Sequence, residues 1–325
     1  MPADDVAIRR YQPGDEDRIL ELFARSFHAP RSLASWKWKY ERDPRISVAF
    51  DESGALVGHY AGYAVPFVVD GERVIANQIG DTMTDPAIRH IGRGPTSVLG
   101  RTALHFYEQF CEDKVAFNYG FNVANIQKFS LRFLRSDRVE PVTYRVLHGG
   151  QAIAPVRLQR WLRGYQFELV REVSSEWDEL FARVAPAYRF LIERNAAYVR
   201  WRYLESPEVP YIVVAIRKWR RLVGWVVFRM RDNRMTIGDA LFDPRFPDAL
   251  PTLLRHVVAA HHAREVEGWF STRPAWFDAI LQESGFETRP EPQDLSLMCV
   301  PFMMKDAVER MRAELYYTWG DSDLF

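Results

Sequence analysis

The residues best placed to do chemistry lie in the run Arg89-His90-Ile91-Gly92-Arg93-Gly94, with Pro95 and Thr96 directly after it. Asp81-Thr82-Met83-Thr84-Asp85 alternates toward Pro86, and the glycine run has no apolar period, so the chain turns here. Val98, Leu99, Thr102, Ala103, Phe106, Tyr107 and Phe110 then recur at helical spacing, and Pro95 suits a first helical turn, where a missing N–H costs nothing. Backbone amides freed at a glycine turn, the positive end of a helix dipole, and the flanking Arg89 and Arg93 together suit a pyrophosphate. The dinucleotide-binding fingerprint fits poorly, because Val98 and Leu99 stand where it needs a small residue.

Composition bounds what the rest of the chain can be. With 325 residues there is room for two domains, each with its own core. Lys+Arg and Asp+Glu both number 43, so no net field argues for nucleic acid or a membrane surface. Cys111 and Cys299 sit in unrelated surroundings, which excludes a disulfide framework and a cysteine-rich zinc site, and no metal is expected. No run of 18 apolar residues occurs, and the first residues carry no basic leader, so a cytoplasmic protein is expected.

The elements that must position the loop can be read in order. Ala7–Tyr11 alternates into a turn at Pro13-Gly14, and Asp15 precedes a helix carrying Ile19, Leu22, Phe23 and Phe27. A second short helix runs from Ser32 to Arg42, followed by strands at Ser47–Asp51, Ala55–Val69 and Glu72–Thr84, with turns at Ser53-Gly54 and Asp70-Gly71. Beyond the loop and its helix come a strand at Val115–Tyr119 and a helix at Asn125–Arg135.

This order, with Arg89, Gly92 and Gly94 on the fixed positions of a (Gln/Arg)-x-x-Gly-x-(Gly/Ala) loop, resembles the GCN5-related N-acetyltransferases (GNAT). The resemblance implies an α/β (α+β) fold with a mixed, mostly antiparallel central sheet flanked by helices. It also implies acetyl-coenzyme A as acyl donor, with Arg89, Ile91, Gly92, Arg93, Gly94, Pro95 and Thr96 at its pyrophosphate. In the same way, the backbone of Met83 and Thr84 is expected along the pantetheine and thioester, and Asn125 at the opening of the next helix. The implied activity is transfer of an acetyl group to a primary amine of a small molecule, such as an amino sugar. The sequence departs from the family at the group that protonates the leaving thiolate. Where the family places a tyrosine seven residues after the asparagine, this chain has Arg132, and no tyrosine falls between Tyr119 and Tyr144. A coenzyme-binding module without transfer activity is therefore the alternative.

The second half repeats the first. Trp38-Lys39-Tyr40 with Pro44 has a counterpart in Trp201-Arg202-Tyr203 with Pro207, and Ile79-Gly80-Asp81 with Pro86 in Ile237-Gly238-Asp239 with Pro244. Two tandem GNAT-like domains are expected, at 1–145 and 146–300, followed by a helix and aromatic tail at 301–325. After Pro244 the second copy reads Arg245-Phe246-Pro247-Asp248 with no glycine, so it lacks the pyrophosphate loop. Recurrence of Trp38 and Tyr40 in a copy without the loop marks those two as core.

Proton handling has several candidates. Asp81 ends the fourth strand near the expected thioester, although its counterpart Asp239 in the second copy points to a structural role. His28 and His59 are the nearby histidines. The tail Tyr316–Phe325 is too aromatic for a solvated end, and tandem members of the resembled family thread the chain end into the active domain, where the terminal carboxylate is the base. Phe325 is a catalytic candidate on that resemblance. Trp36, His59 and Tyr60 fall on the acceptor side, and Asp321 and Asp323 suit an acceptor's ammonium group.

Overall fold

The computed structural model describes residues 6–90, 92–148 and 164–325. They divide into two compact units, the N-terminal one made of Met1–Pro66, Val74–Pro141 and Leu295–Arg310.

In the N-terminal unit the chain forms β1 (Ala7–Arg10), α1 (Glu16–Phe27), α2 (Leu33–Tyr40), β2 (Arg45–Phe50), β3 (Leu56–Val69), β4 (Glu72–Thr84), α3 (Val98–Phe110), β5 (Phe117–Asn122), α4 (Ala124–Phe133) and β6 (Asp137–Pro141). Asp70 and Gly71, both at positive φ, supply the tight reversal between β3 and β4. The strands lie in the order β1-β2-β3-β4-β5, then the late segment Ser296–Pro301, then β6. All neighbours along β1 to β4 for which the register is given are antiparallel, whereas β4 and β5 are parallel. Helix α3 buries Ala103, Phe106, Tyr107 and Phe110 in one cluster with Tyr60 of β3, together with Val300 and Phe302. That face is the apolar stripe read from the sequence.

The C-terminal unit comprises Phe67–Arg73, Val142–Asp294 and Met311–Phe325. Its elements are β7 (Tyr144–His148), β8 (Tyr165–Leu169), α5 (Ser175–Tyr188), β9 (Phe190–Ile192), α6 (Ala196–Val199) running into a π-helical turn at Arg200–Leu204, β10 (Ile212–Lys218), β11 (Arg221–Arg231), β12 (Arg234–Phe242), α7 (Ala249–His261), β13 (Glu265–Trp269), α8 (Ala275–Glu283) and β14 (Glu287–Arg289). Strand β15 (Ser296–Pro301), already met in the first sheet, and α9 (Ala307–Glu314) follow. The second sheet runs β8-β10-β11-β12-β13-β7-β14, the same layout as the first, with β12 and β13 as its parallel pair.

Each sheet is completed by a strand from the other half of the sequence. β15 lies between β5 and β6, while β7 lies between β13 and β14. The expected contiguous boundaries at 145 and 300 are corrected accordingly: Leu295–Arg310 belongs to the N-terminal unit, and Val142 already opens the C-terminal one. A strand's neighbours are set by long-range pairing, which local periodicity does not encode.

Candidate active site

The glycine loop forms a turn in front of α3. Gly92 sits at φ 72 and Gly94 at φ 57, the left-handed region where a side chain is strained. A Cβ on Gly92 would lie 2.7 Å from the Thr96 carbonyl oxygen, and one on Gly94 would lie 2.7 Å from the Phe133 ring of α4. The loop holds its shape only with glycine at both positions. Gly94–Thr96 makes a single 3₁₀ turn, and Ser97, not Pro95, precedes the α-helix; its Oγ accepts from the Gly100 amide at 3.1 Å. Sequence reasoning missed this cap, although a serine before an apolar run is its usual mark. The amides of Val98 and Leu99 belong to the first turn and have no intrahelical acceptor. Arg89 and Arg93 are exposed beside the loop, Arg89 tied through Nε to the Thr84 carbonyl at 3.0 Å. Pro95 and Thr96 are exposed on the turn itself. Ile91 lies outside the described residues.

Beside the loop, β4 and β5 part. They pair only at Asn77↔Asn118 and Gln78↔Tyr119 and then diverge, with Asp81 at φ 51 marking the bend in β4. Gly120 stands at the split, where a Cβ would come within 3.3 Å of the Ile79 carbonyl oxygen. A cleft of about 280 Å³ opens there, lined by Ile79, Gly120, Asn122 and Ser130, with Tyr60 and Tyr107 behind. Tyr60 and Tyr107 face each other at 3.4 Å between hydroxyls, and burial pushes both phenols up, so neither is a ready acid at neutral pH. Met83 and Thr84 are buried on β4, and Asn125 is exposed as the second residue of α4.

Asp81 is a salt-bridge centre. Its Oδ2 accepts from Arg31, from Lys39 Nζ at 3.0 Å and from Tyr40 OH at 2.6 Å. Burial alone would push its carboxyl up; the Lys39 and Arg31 charges, with hydrogen bonds from Arg31 and Tyr40, hold it far below the ordinary range. A carboxylate so stabilised in its charged form does not take a proton, which corrects the expectation of Asp81 as base. The second unit repeats the clasp: Tyr203 OH donates to Asp239 Oδ2 at 2.7 Å, and Arg194 Nε to Asp239 Oδ1 at 2.9 Å. Tyr40 and Tyr203 are both fully buried, as their recurrence implied.

The remaining candidates separate by place. Trp36 is buried between the Tyr11 and Tyr40 rings, and His59 is buried with Nδ1 at 2.7 Å from the Asp81 carbonyl oxygen. His28 ends α1 in an exposed left-handed cap. The tail residues belong to the C-terminal unit. Asp321 is buried and binds Arg194 through both oxygens, at 2.7 and 2.6 Å, so it is an internal ion-pair partner, not an ammonium receptor. Asp323 is half-buried. Phe325 is a second correction: its carbonyl oxygen accepts from Tyr211 OH at 2.5 Å and Arg202 at 3.3 Å, and its ring fills the space a side chain on Gly238 would need. Trp319 stacks on Trp269 at 4.6 Å. The tail thus fills the opening beyond the last β12–β13 pair, Ile237↔Gly268, within its own unit.

The match to known families falls on the same half of the chain. Residues 7–131 match the model of the acetyltransferase (GNAT) domain. This N-terminal region belongs to the GNAT family, and the chain is an acyltransferase of that type. Among solved structures it is similar to a conserved protein of unknown function from Enterococcus faecalis V583, described as a probable N-acyltransferase, at 10% identity and TM-score 0.71 over 92% of this chain and 73% of that one. It is also similar to a GCN5-related N-acetyltransferase from Anabaena variabilis ATCC 29413, at 13% identity and TM-score 0.67, covering 90% and 72% of the two chains. A third similar structure is Eis1 from Mycobacterium abscessus, at 16% identity and TM-score 0.60, covering 93% and 74%. At these identities the likeness is one of fold. No curated protein matches the sequence. Among the described residues no helix is long and apolar enough to cross a membrane, and no cluster of His, Cys, Asp and Glu suits a metal ion.

Proposed function

We propose that the N-terminal unit transfers the acetyl group of acetyl-coenzyme A to a primary amine of a small molecule such as an amino sugar. The observation that carries this is the convergence of two features of one unit: a loop whose shape requires glycine at 92 and 94, at a capped helix N-terminus, and a cleft where β4 leaves β5. The loop amides and the exposed Arg89 and Arg93 suit the pyrophosphate. The backbone of Met83 and Thr84 suits the pantetheine and thioester, whose carbonyl oxygen needs N–H donors as it gains charge. Asn125 stands at the mouth of the same helix. The C-terminal unit does not take coenzyme, because its own tail occupies the corresponding opening.

Titration calorimetry with acetyl-coenzyme A tests this. The intact protein should bind saturably, and Gly92→Trp should lower affinity at least about 100-fold, since the turn at φ 72 excludes a side chain. Absence of binding by the intact protein overturns the assignment. A second reading, a coenzyme-binding module without transfer, is favoured by the lack of a tyrosine on α4. Thiol release with a panel of primary amines separates the two, because a module binds without releasing thiol.

A further inference from the structure

His59 is positioned by a contact that fixes its protonation. The Asp81 carbonyl oxygen 2.7 Å from Nδ1 can only accept, so Nδ1 carries the hydrogen and Nε2 keeps a bare lone pair. Nε2 is buried and has no hydrogen-bond partner among the described residues, a costly arrangement for a structural histidine. It faces a narrow pocket of about 170 Å³ whose wall also includes Met83 of β4, Arg31, and Trp36, whose Nε1 likewise lacks a partner. Helix α1 contributes only the apolar Ile19, Leu20 and Phe23. The charged and titratable groups around the ring are therefore Asp81, Arg31, Lys39 and the Tyr40 hydroxyl.

We propose that this pocket receives the acceptor's amino group, and that His59 Nε2 takes its proton during acyl transfer. The inference rests on acyl transfer in the N-terminal unit. The amine enters neutral, having released one proton to water, and its lone pair forms the N–C bond to the thioester carbon. The nitrogen, now positively charged, gives a proton to Nε2. The C–S bond then breaks with its electron pair leaving on sulfur, and the imidazolium returns the proton to the thiolate. Products are the amide and free thiol, with His59 neutral again, so no tyrosine acid is needed on α4. Burial lowers the His59 pKa to about 4, with Arg31 and Lys39 also lowering it and Asp81 opposing, so the imidazole is a neutral acceptor at physiological pH. A weak base of this kind suits the attacked nitrogen, whose N–H has become acidic.

Two measurements test the proposal. Nitrogen-15 NMR of histidine-labelled protein should show His59 Nε2 unprotonated at pH 7, with no titration between pH 5 and 8; a protonated Nε2, or titration in that range, overturns it. His59→Asn keeps an N–H for the Asp81 carbonyl and removes the base. With the amine from a panel of ethanolamine, benzylamine and glucosamine that turns over fastest, it should lower kcat at least about 100-fold while the acetyl-coenzyme A Kd holds. The wild-type rate should fall as pH drops through about 4, and that limb should vanish in the variant. If none of the panel is acylated, acetyl-coenzyme A hydrolysis is compared instead, because attacking water needs the same base. A variant rate within about threefold of wild type overturns the proposal. Failure of the intact protein to bind acetyl-coenzyme A would instead sink the assignment of the donor, and the NMR result would still report on the tautomer.

Discussion

Asp81→Ala should destabilise the N-terminal unit by about 3–5 kcal/mol, because it removes the one oxygen that Arg31, Lys39 and Tyr40 all donate to. The Lys39 side chain is only 6% exposed, so water cannot replace the lost carboxylate cheaply. A thermal melt followed by circular dichroism should move down by roughly 10 °C or more. Asp81→Asn should do nearly the same, since a neutral amide does not balance two cations. The sign with pH follows from the lowered pKa. A depressed carboxylate contributes its full stabilisation above about pH 4 and loses it only as pH falls through the folded-state value, which here lies far lower. The wild-type clasp should therefore persist in mild acid. Melting unchanged in Asp81→Ala, together with lost turnover, would restore this residue as a base.

The second large effect is expected at Arg194. Its guanidinium is fully buried between Asp239, also fully buried, and Asp321, and it donates to both. Arg194→Met fills similar volume but leaves two carboxylates facing each other in the interior. A loss of at least about 3–5 kcal/mol is expected from breaking one buried pair, and here two break at once. The C-terminal unit should become susceptible to limited proteolysis at 25 °C, with cleavage in the tail first. Adding Asp239→Asn and Asp321→Asn to Arg194→Met should recover part of the loss, because an uncharged set needs no counter-ion. Wild-type protease resistance in Arg194→Met alone would show that the triad holds nothing in place.

Much of this molecule was legible residue by residue. Helix α3 was marked by its apolar period, the loop by glycines that turn out to sit at φ 72 and 57, and the tandem layout by Tyr40/Tyr203 and Asp81/Asp239. Those pairs proved to be the same hydrogen bond in each unit. What escaped was set by long-range contacts. Asp81 looked like a base because its partners lie 50 and 42 residues away along the chain and carry no motif. Asp321 looked free for a ligand because Arg194, 127 residues away, is an unremarkable arginine in the sequence. Aromatic content showed that the tail must be buried, but not where; Gly238 and Trp269 fix that, and neither signals it locally. Exchange of β7 and β15 likewise depends on pairing that alternation leaves open, since both strands alternate equally well on either sheet.

That exchange bears on how the protein is made. On the ribosome, β5 and β6 emerge long before β15, so the first sheet keeps an unfilled lane between them while the next 150 or so residues are synthesised. An open lane of unpaired N–H and C=O groups invites foreign strands. Neither half of the gene encodes a sheet that can close by itself: a product stopped at residue 145 lacks β15, and one begun at residue 150 lacks β7. Expressed apart, the halves should collect in inclusion bodies; expressed together, each can supply the lane the other lacks.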